Sequence, residues 1–484
     1  MTSLALQAAA VRAPADVSPS SFDQLGLHPA LLRAVADLGF STPTAVQQAA
    51  IPAALPDATG AAADLMVSSQ TGSGKTAAYL LPLLHTLLQA SAETPARGVP
   101  RRGGRWQPAR PRVLVLCPTR ELAQQVSADA IDLLRHARAL RVATVVGGLP
   151  YQQQLQRLQG ADVLVATPGR LLDLQRGGHV ELDAVQHLVL DEADRMLDLG
   201  FADDLAAIHA LTQSRAQTLM FSATFAPRVQ QLAAGIMRQP RQLTLATPQQ
   251  RHQHIEQRLH WCDDAGHKRR LLEHWLRDGE LQQAIVFAST QVECDALAEE
   301  LQQAGFAAVA LHGAMPQGVR QRRLQALREG RVQILVATDV AARGIDVPTI
   351  THVFNYGLPM KAEDYVHRIG RTGRAGRSGL AVTMAEPRDR RRIAAIEALR
   401  REPIPEHTIA GLEPRLRPQA HRGAGPGRGR SGAGGWRGEG ARRPEGGGSA
   451  RGAGRPGAGW RSPAAARGAT VGGRGVGTLR GGVR

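Results

Sequence analysis

From residue 64 to about 245 the chain alternates short, almost unbroken apolar runs with helix-length amphipathic segments. The runs at 113–117 (VLVLC), 162–166 (DVLVA), 187–191 (HLVLD) and 218–222 (TLMFS) carry too few polar positions for a strand with one wet face. They read as strands buried on both faces of a parallel sheet. The rhythm returns at 284–288 (AIVFA), 332–337 (VQILVA) and 350–354 (ITHVF), with a helical pattern over 290–303 between the first two. Two doubly wound α/β domains follow. The polar stretch 246–257, rich in Gln and His with Pro248 inside it, is the hinge between them. The expected organisation is a disordered start (1–19), a first domain (20–245), a linker (246–257), a second domain (258–402), and a linker with a basic tail (403–484). An irregular segment, 95–111, holding Arg97, Arg101, Arg102 and Arg105, reads as a variable surface loop, with a dedicated RNA contact as the alternative.

Composition refines this picture at three points. The chain has 484 residues, 43% of them hydrophobic, enough for two cores plus an extension. A net charge of +17 and a pI near 11.1 call for a polyanionic partner, nucleic acid first. The excess is concentrated at the end: residues 421–484 hold 23 Gly and 13 Arg against two acids, Glu439 and Glu445. Such a segment cannot offset its ordering entropy and is expected to be disordered. Its Trp436 and Trp460 each precede an arginine, a pairing suited to stacking on unpaired bases. No run approaches 18 apolar residues, and the apolar stretch 4–11 lacks a basic flank, so a soluble, cytoplasmic protein with no membrane contact is expected. Cys117, Cys262 and Cys294 lie far apart without metal-ligand spacing.

Three constellations carry chemistry. After an apolar strand at 65–68, Ser69, Gln70, Thr71, Gly72, Ser73, Gly74, Lys75 and Thr76 form a glycine-bearing loop that opens a helix. Backbone N–H groups there can cradle a phosphate, Lys75 can pair with β and γ phosphates, and Thr76 can offer its hydroxyl to Mg²⁺. A strict phosphate loop has Gly where Ser69 stands. Asp191, Glu192, Ala193 and Asp194 follow a buried strand at its carboxyl end, making Asp191 the expected Mg²⁺ partner and Glu192 the expected base. His367, Arg368, Ile369, Gly370, Arg371, Thr372, Gly373 and Arg374 bring three arginines into the second domain. Arginines delivered across a cleft can stabilise a transferring phosphoryl by roughly 10³ to 10⁵ in rate.

In their order these blocks resemble the DEAD-box RNA helicases of superfamily 2 over roughly residues 21–400. The resemblance implies two tandem RecA-like doubly wound parallel-sheet domains ahead of the disordered Arg/Gly-rich tail, and ATP-dependent unwinding or remodelling of RNA with Mg²⁺. By it, Phe22 is available to stack on adenine and Gln47 reads the base edge, so the nucleotide is ATP. Thr119 and Arg120, Gly147 and Gly148, and Thr167, Gly169 and Arg170 resemble grips on the RNA backbone, which position without reading sequence. Ser222 and Thr224, with His367, resemble the coupling of hydrolysis to strand separation. Gln317 and Arg320 resemble a further second-domain block; Asp346 is implied at the ribose, Thr338 and Arg343 at RNA, and Arg371 and Arg374 at the phosphates. Departures are Ser69 for a usual Ala, Ala45 for a usual Pro, and Gly357 where an acidic residue is common. Compact length and an Arg/Gly tail resemble the bacterial RhlE-like branch, acting as a monomer with ribosomal or RNA-decay proteins among its partners. Two other readings stand beside this one: a DNA-directed helicase of the same superfamily, and an RNA chaperone or annealing protein whose ATP site only regulates.

Overall fold

The computed structural model describes residues 21–416, apart from 70–72, 94–106, 138, 246–253, 343–344, 346, 348 and 374–376. Seven strands build the first sheet: β1 (Leu65–Ser68), β2 (Val113–Leu116), β3 (Val142–Val145), β4 (Val163–Ala166), β5 (His187–Leu190), β6 (Gln217–Ser222) and β7 (Arg241–Thr244). Their order is β3-β4-β2-β5-β6-β1-β7, every pair parallel. Six more, β8 (Ile255–Trp261), β9 (Ala284–Phe287), β10 (Ala308–Leu311), β11 (Ile334–Ala337), β12 (His352–Asn355) and β13 (Gly379–Ala385), form a second parallel sheet ordered β10-β11-β9-β12-β13-β8. All four positions of β1, β2, β4, β5, β9, β11 and β12 are buried, so their apolar runs fill cores on both faces of each sheet.

The edge strands escaped the periodicity for a physical reason. β3 and β7 are only partly buried, and β8 alternates buried and exposed positions at its start, so none needs a continuous apolar run. Helix starts are set locally. Thr119 Oγ1 accepts from Leu122 N at 3.3 Å, Thr290 Oγ1 from Glu293 N at 3.1 Å, and Thr44 shares a reciprocal capping box with Gln47.

Two boundaries are corrected. Residues 255–257, assigned to the linker, belong to β8, while 246–253 lie outside the described residues. Residues 403–416, assigned to linker and tail, pack on the second domain: Leu259 N donates to Pro405 O and His407 N to Leu259 O, both at 2.8 Å. Trp261 Nε1 donates to Glu406 at 2.8 Å, and Asp263 accepts from the backbone of Arg415 and Leu416 at 3.1 and 2.8 Å. This strap satisfies backbone groups on the open edge of β8 that would otherwise lack a partner. The start (1–19), most of the 95–111 loop and the 421–484 tail lie outside the described residues. No helix among the described residues is long and apolar enough to cross a membrane.

Candidate nucleotide and nucleic-acid site

Because every strand of a sheet is parallel, β1 and β5 present their carboxyl ends on one rim, where ligands of open α/β sheets bind. At the end of β1, Gln70, Thr71 and Gly72 lie outside the described residues. The loop's flanks are tied down: Ser69 N donates to Ser222 O at 3.1 Å, and the Ser69 and Ser73 hydroxyls are 2.6 Å apart. Lys75 opens the helix Lys75–Glu93, 7% exposed, its Nζ 3.4 Å from Ser69 O. Gly74 has φ +90°, and a Cβ there would meet Gln47 Nε2 at 2.6 Å, so only glycine fits. Gln47 itself accepts from Thr44 N at 2.9 Å and donates to Gly74 O at 3.2 Å. The residue expected to read the base edge is thereby part of the loop's own support.

At the end of β5, Asp191 and Glu192 are 2% and 6% exposed. Glu192 sits at φ +53°, a strained left-handed conformation for a residue with a side chain, in the turn before the helix Ala193–Asp198. Asp191 accepts from the Tyr79 hydroxyl at 2.9 Å through Oδ2, while its buried Oδ1 has no hydrogen-bond partner. Burial raises the Asp191 carboxyl to about 6, with Glu192 adding to the rise and Lys75 and Tyr79 opposing it. Burial pushes Glu192 the same way, but the charges of Arg195, Lys75, Arg371 and His367 prevail and hold it below its usual value. Arg195 Nη1 lies 3.1 Å from Glu192 Oε2. Neighbouring carboxylates are thus driven apart in proton affinity, as acid/base sites commonly are.

Two of the groups acting on Glu192, Arg371 and His367, come from the second domain. Arg371, 3% exposed, donates to Ile345 O at 3.0 Å and His367 O at 3.2 Å. His367 Nε2 is 3.9 Å from Asp194 Oδ2. Arg368 faces another way: it grips Asp339 bidentately at 2.6 and 2.7 Å, donates to Asn355 and to Gly357 O, and stacks over Phe287. Arg368 thus ties together elements of its own domain. Arg374 lies outside the described residues, as do Arg343 and Asp346.

The domains also meet through a polar cluster. Arg120 Nη1 donates to Gln317 Oε1 at 3.2 Å, Gln317 Nε2 to Glu121 at 3.1 Å, and Arg320 reaches the same Glu121 oxygen from Nε and Nη2 at 2.8 Å. Arg120 lies against Gly147 and Gly148; a Cβ on Gly148, which has φ +75°, would collide with the guanidinium. Lys361 Nζ, 2.7 Å from Asp198 Oδ1, adds a half-exposed bridge.

The remaining expected contacts are dispersed among structural duties. Thr119 caps its helix and Thr167 precedes the helix Pro168–Arg176. Arg170 donates to Leu149 O at 3.4 Å and lies over Tyr151, and Gly169 has Asp204 as its neighbour. Ser222 donates to Thr224 O at 2.8 Å, closing the turn after β6, and the backbone of Thr338 starts the helix Asp339–Ala342. A Cβ on Gly357 would collide with Ser289, so an acidic side chain has no room there.

Phe22 is a correction. Expected to be free for stacking, it is 5% exposed and packed into the first-domain core with Leu25 and Leu27. Its ring is spent on apolar burial. The exposed aromatic of that region is Phe40, at 43%, in the same block as Gln47. Its position beside the glycine of that block was the available signal.

A phosphate loop and paired carboxylates on one parallel-sheet domain, answered by buried cations from a second, define a two-domain phosphate-loop motor. A DEAD/DEAH box helicase domain is matched over residues 44–232, and a helicase conserved C-terminal domain over 267–376. The SrmB ATP-dependent RNA helicase of Escherichia coli K12 is 41% identical over 84% of this chain and 88% of its own length. The DeaD ATP-dependent RNA helicase of Mycobacterium tuberculosis is 40% identical over 82% of this chain and 66% of its own. The chain belongs to the DEAD-box helicase family. Its fold is similar to that of the Saccharomyces cerevisiae helicase Dbp5 solved with RNA and ADP BeF3, with TM-score 0.70 and 31% identity over 81% of this chain and 95% of that one.

Proposed function

We infer that this protein is an RNA-stimulated ATPase that uses ATP binding to close its two domains on RNA, opening short duplexes locally, and hydrolysis to release them. The observation that carries this reading is the split site: Glu192 feels Arg371 and His367 of the other domain, so the charge environment of the base depends on closure. In this reading Lys75 grips phosphates, Glu192 accepts a proton from the attacking water, and Arg371 neutralises charge developing on the transferring group. Gln47 stiffens the loop and addresses the base edge. Thr119, Arg120, Gly148, Thr167, Gly169, Arg170 and Thr338 line the RNA path, and Arg343, Asp346 and Arg374 keep their implied roles.

The residues at hand fit Mg²⁺. Asp191 leaves one buried carboxylate oxygen unpartnered, and Thr76 lies in the first turn of the neighbouring helix. Bound there, the ion would neutralise the β and γ phosphates.

The test is steady-state ATPase with single-stranded RNA or matched DNA. RNA should stimulate and DNA should not; equal stimulation by DNA selects the DNA-directed reading. Glu192→Gln should lower turnover by about 10² to 10⁴ while nucleotide and RNA binding persist. A wild-type rate in that variant removes Glu192 from the base role.

A further inference from the structure

The hydroxyl of Tyr79 is a polar group buried in an otherwise apolar wall, and the reaction described above does not use it. Tyr79 lies in the helix that Lys75 opens, 0% exposed, its ring 5.2 Å from that of Phe221. A phenylalanine would fill the same space. The hydroxyl instead donates to Asp191 Oδ2 at 2.9 Å. It therefore ties the helix that Lys75 opens to the carboxylate at the end of β5. Of the two Asp191 oxygens, the one bonded to Tyr79 is occupied and the other, Oδ1, is buried without a partner. A carboxylate held by one oxygen cannot rotate freely, and the unsatisfied oxygen has one direction in which to find a cation or its water.

We propose that Tyr79 is a positioning residue that fixes the rotamer of Asp191, presenting Oδ1 to the metal. Partners of this kind around a metal site typically govern 10- to 100-fold in metal affinity. The proposal rests on the Mg²⁺ reading of the site.

The experiment uses the full chain and a fluorescent ADP. Its affinity is measured with Mg²⁺ and with chelator, and Mn²⁺ bound in the ADP complex is counted by electron paramagnetic resonance. If Mg²⁺ does not tighten ADP binding in the wild type, the metal reading itself fails. Given that tightening, Tyr79→Phe should retain its melting temperature and its metal-free ADP affinity but bind Mn²⁺ roughly tenfold more weakly. In an Asp191→Asn background the same change should have no further effect on Mn²⁺. Unchanged Mn²⁺ affinity in Tyr79→Phe, or an equal loss in the Asn background, overturns the proposal. Should Tyr79→Phe melt early, the Mn²⁺ comparison is made at a temperature at which both proteins remain folded, and equal affinity there also overturns the proposal.

Discussion

The two domains share an architecture but hold their functional side chains in opposite ways. In the first, the carboxylates are secured from within: Asp191 by Tyr79, Glu192 by the buried Arg195, and the phosphate loop by Gln47 and the backbone of Ser222. In the second, Arg371 is aimed by two backbone carbonyls, Ile345 O and His367 O, while the neighbouring Arg368 is consumed by Asp339. The first domain therefore carries a preorganised site whose charge is compensated from within by Arg195 and Lys75, and the second adds Arg371 to that compensation. Closure is where chemistry begins, because a buried carboxylate and a buried guanidinium each become less costly when they face each other.

Four perturbations would break or sharpen that contrast. The largest belongs to Arg371: replacement by Ala should cut RNA-stimulated turnover by about 10³ or more while sparing nucleotide binding to the first domain, measured by single-turnover ATPase and fluorescent ADP titration. Next is Arg320→Ala, which strands the 9%-exposed Glu121 carboxylate at the interface. Truncating one partner of such a pair costs about 2 to 5 kcal/mol, so domain closure read by interdomain fluorescence transfer should weaken on the order of 10²-fold, with each domain's melting unchanged.

The third is confined to the second domain. Burial, with His407 and Arg258 nearby, lowers His260 to about 4, and its Nε2 accepts from Trp275 Nε1 at 3.2 Å, which requires that nitrogen to be unprotonated. The folded form thus binds fewer protons than the unfolded one between about 6.5 and 4. Stability of this domain should fall as pH falls through that window, by up to about 3 kcal/mol from this residue, and His260→Gln should flatten the trend in pH-dependent melting. The smallest effect belongs to Lys361→Ala. Its bridge to Asp198 is half-exposed, so closure should change by roughly twofold at low salt and not measurably at high salt.

Much of this was legible in the chain. Runs such as 113–117 and 284–288 can only be strands covered on both faces, and the spacing of Gly74, Lys75, Asp191 and Glu192 against those runs identifies the chemistry before any coordinates. The edge strands β3, β7 and β8 were not legible, because an edge needs no continuous apolar stretch.

Burial is settled by distant segments of chain packing together, and no local pattern reports it. Phe22 and Phe40 are both aromatics of one region, yet packing hides the first and leaves the second at the surface. Arg368 and Arg371 are neighbours on the octapeptide, yet the position of Asp339 turns one into a structural tie and leaves the other beside Glu192. Tyr79 passes for a core aromatic until β5 brings Asp191 within 2.9 Å of its hydroxyl. The amino-acid sequence by itself determined the set of chemical groups and the parallel strands that carry them, since both rest on local spacing. Which groups face one another, and therefore which act, was decided by tertiary packing, because a hydrogen bond or an ion pair depends on distances of a few ångströms between residues far apart in the chain.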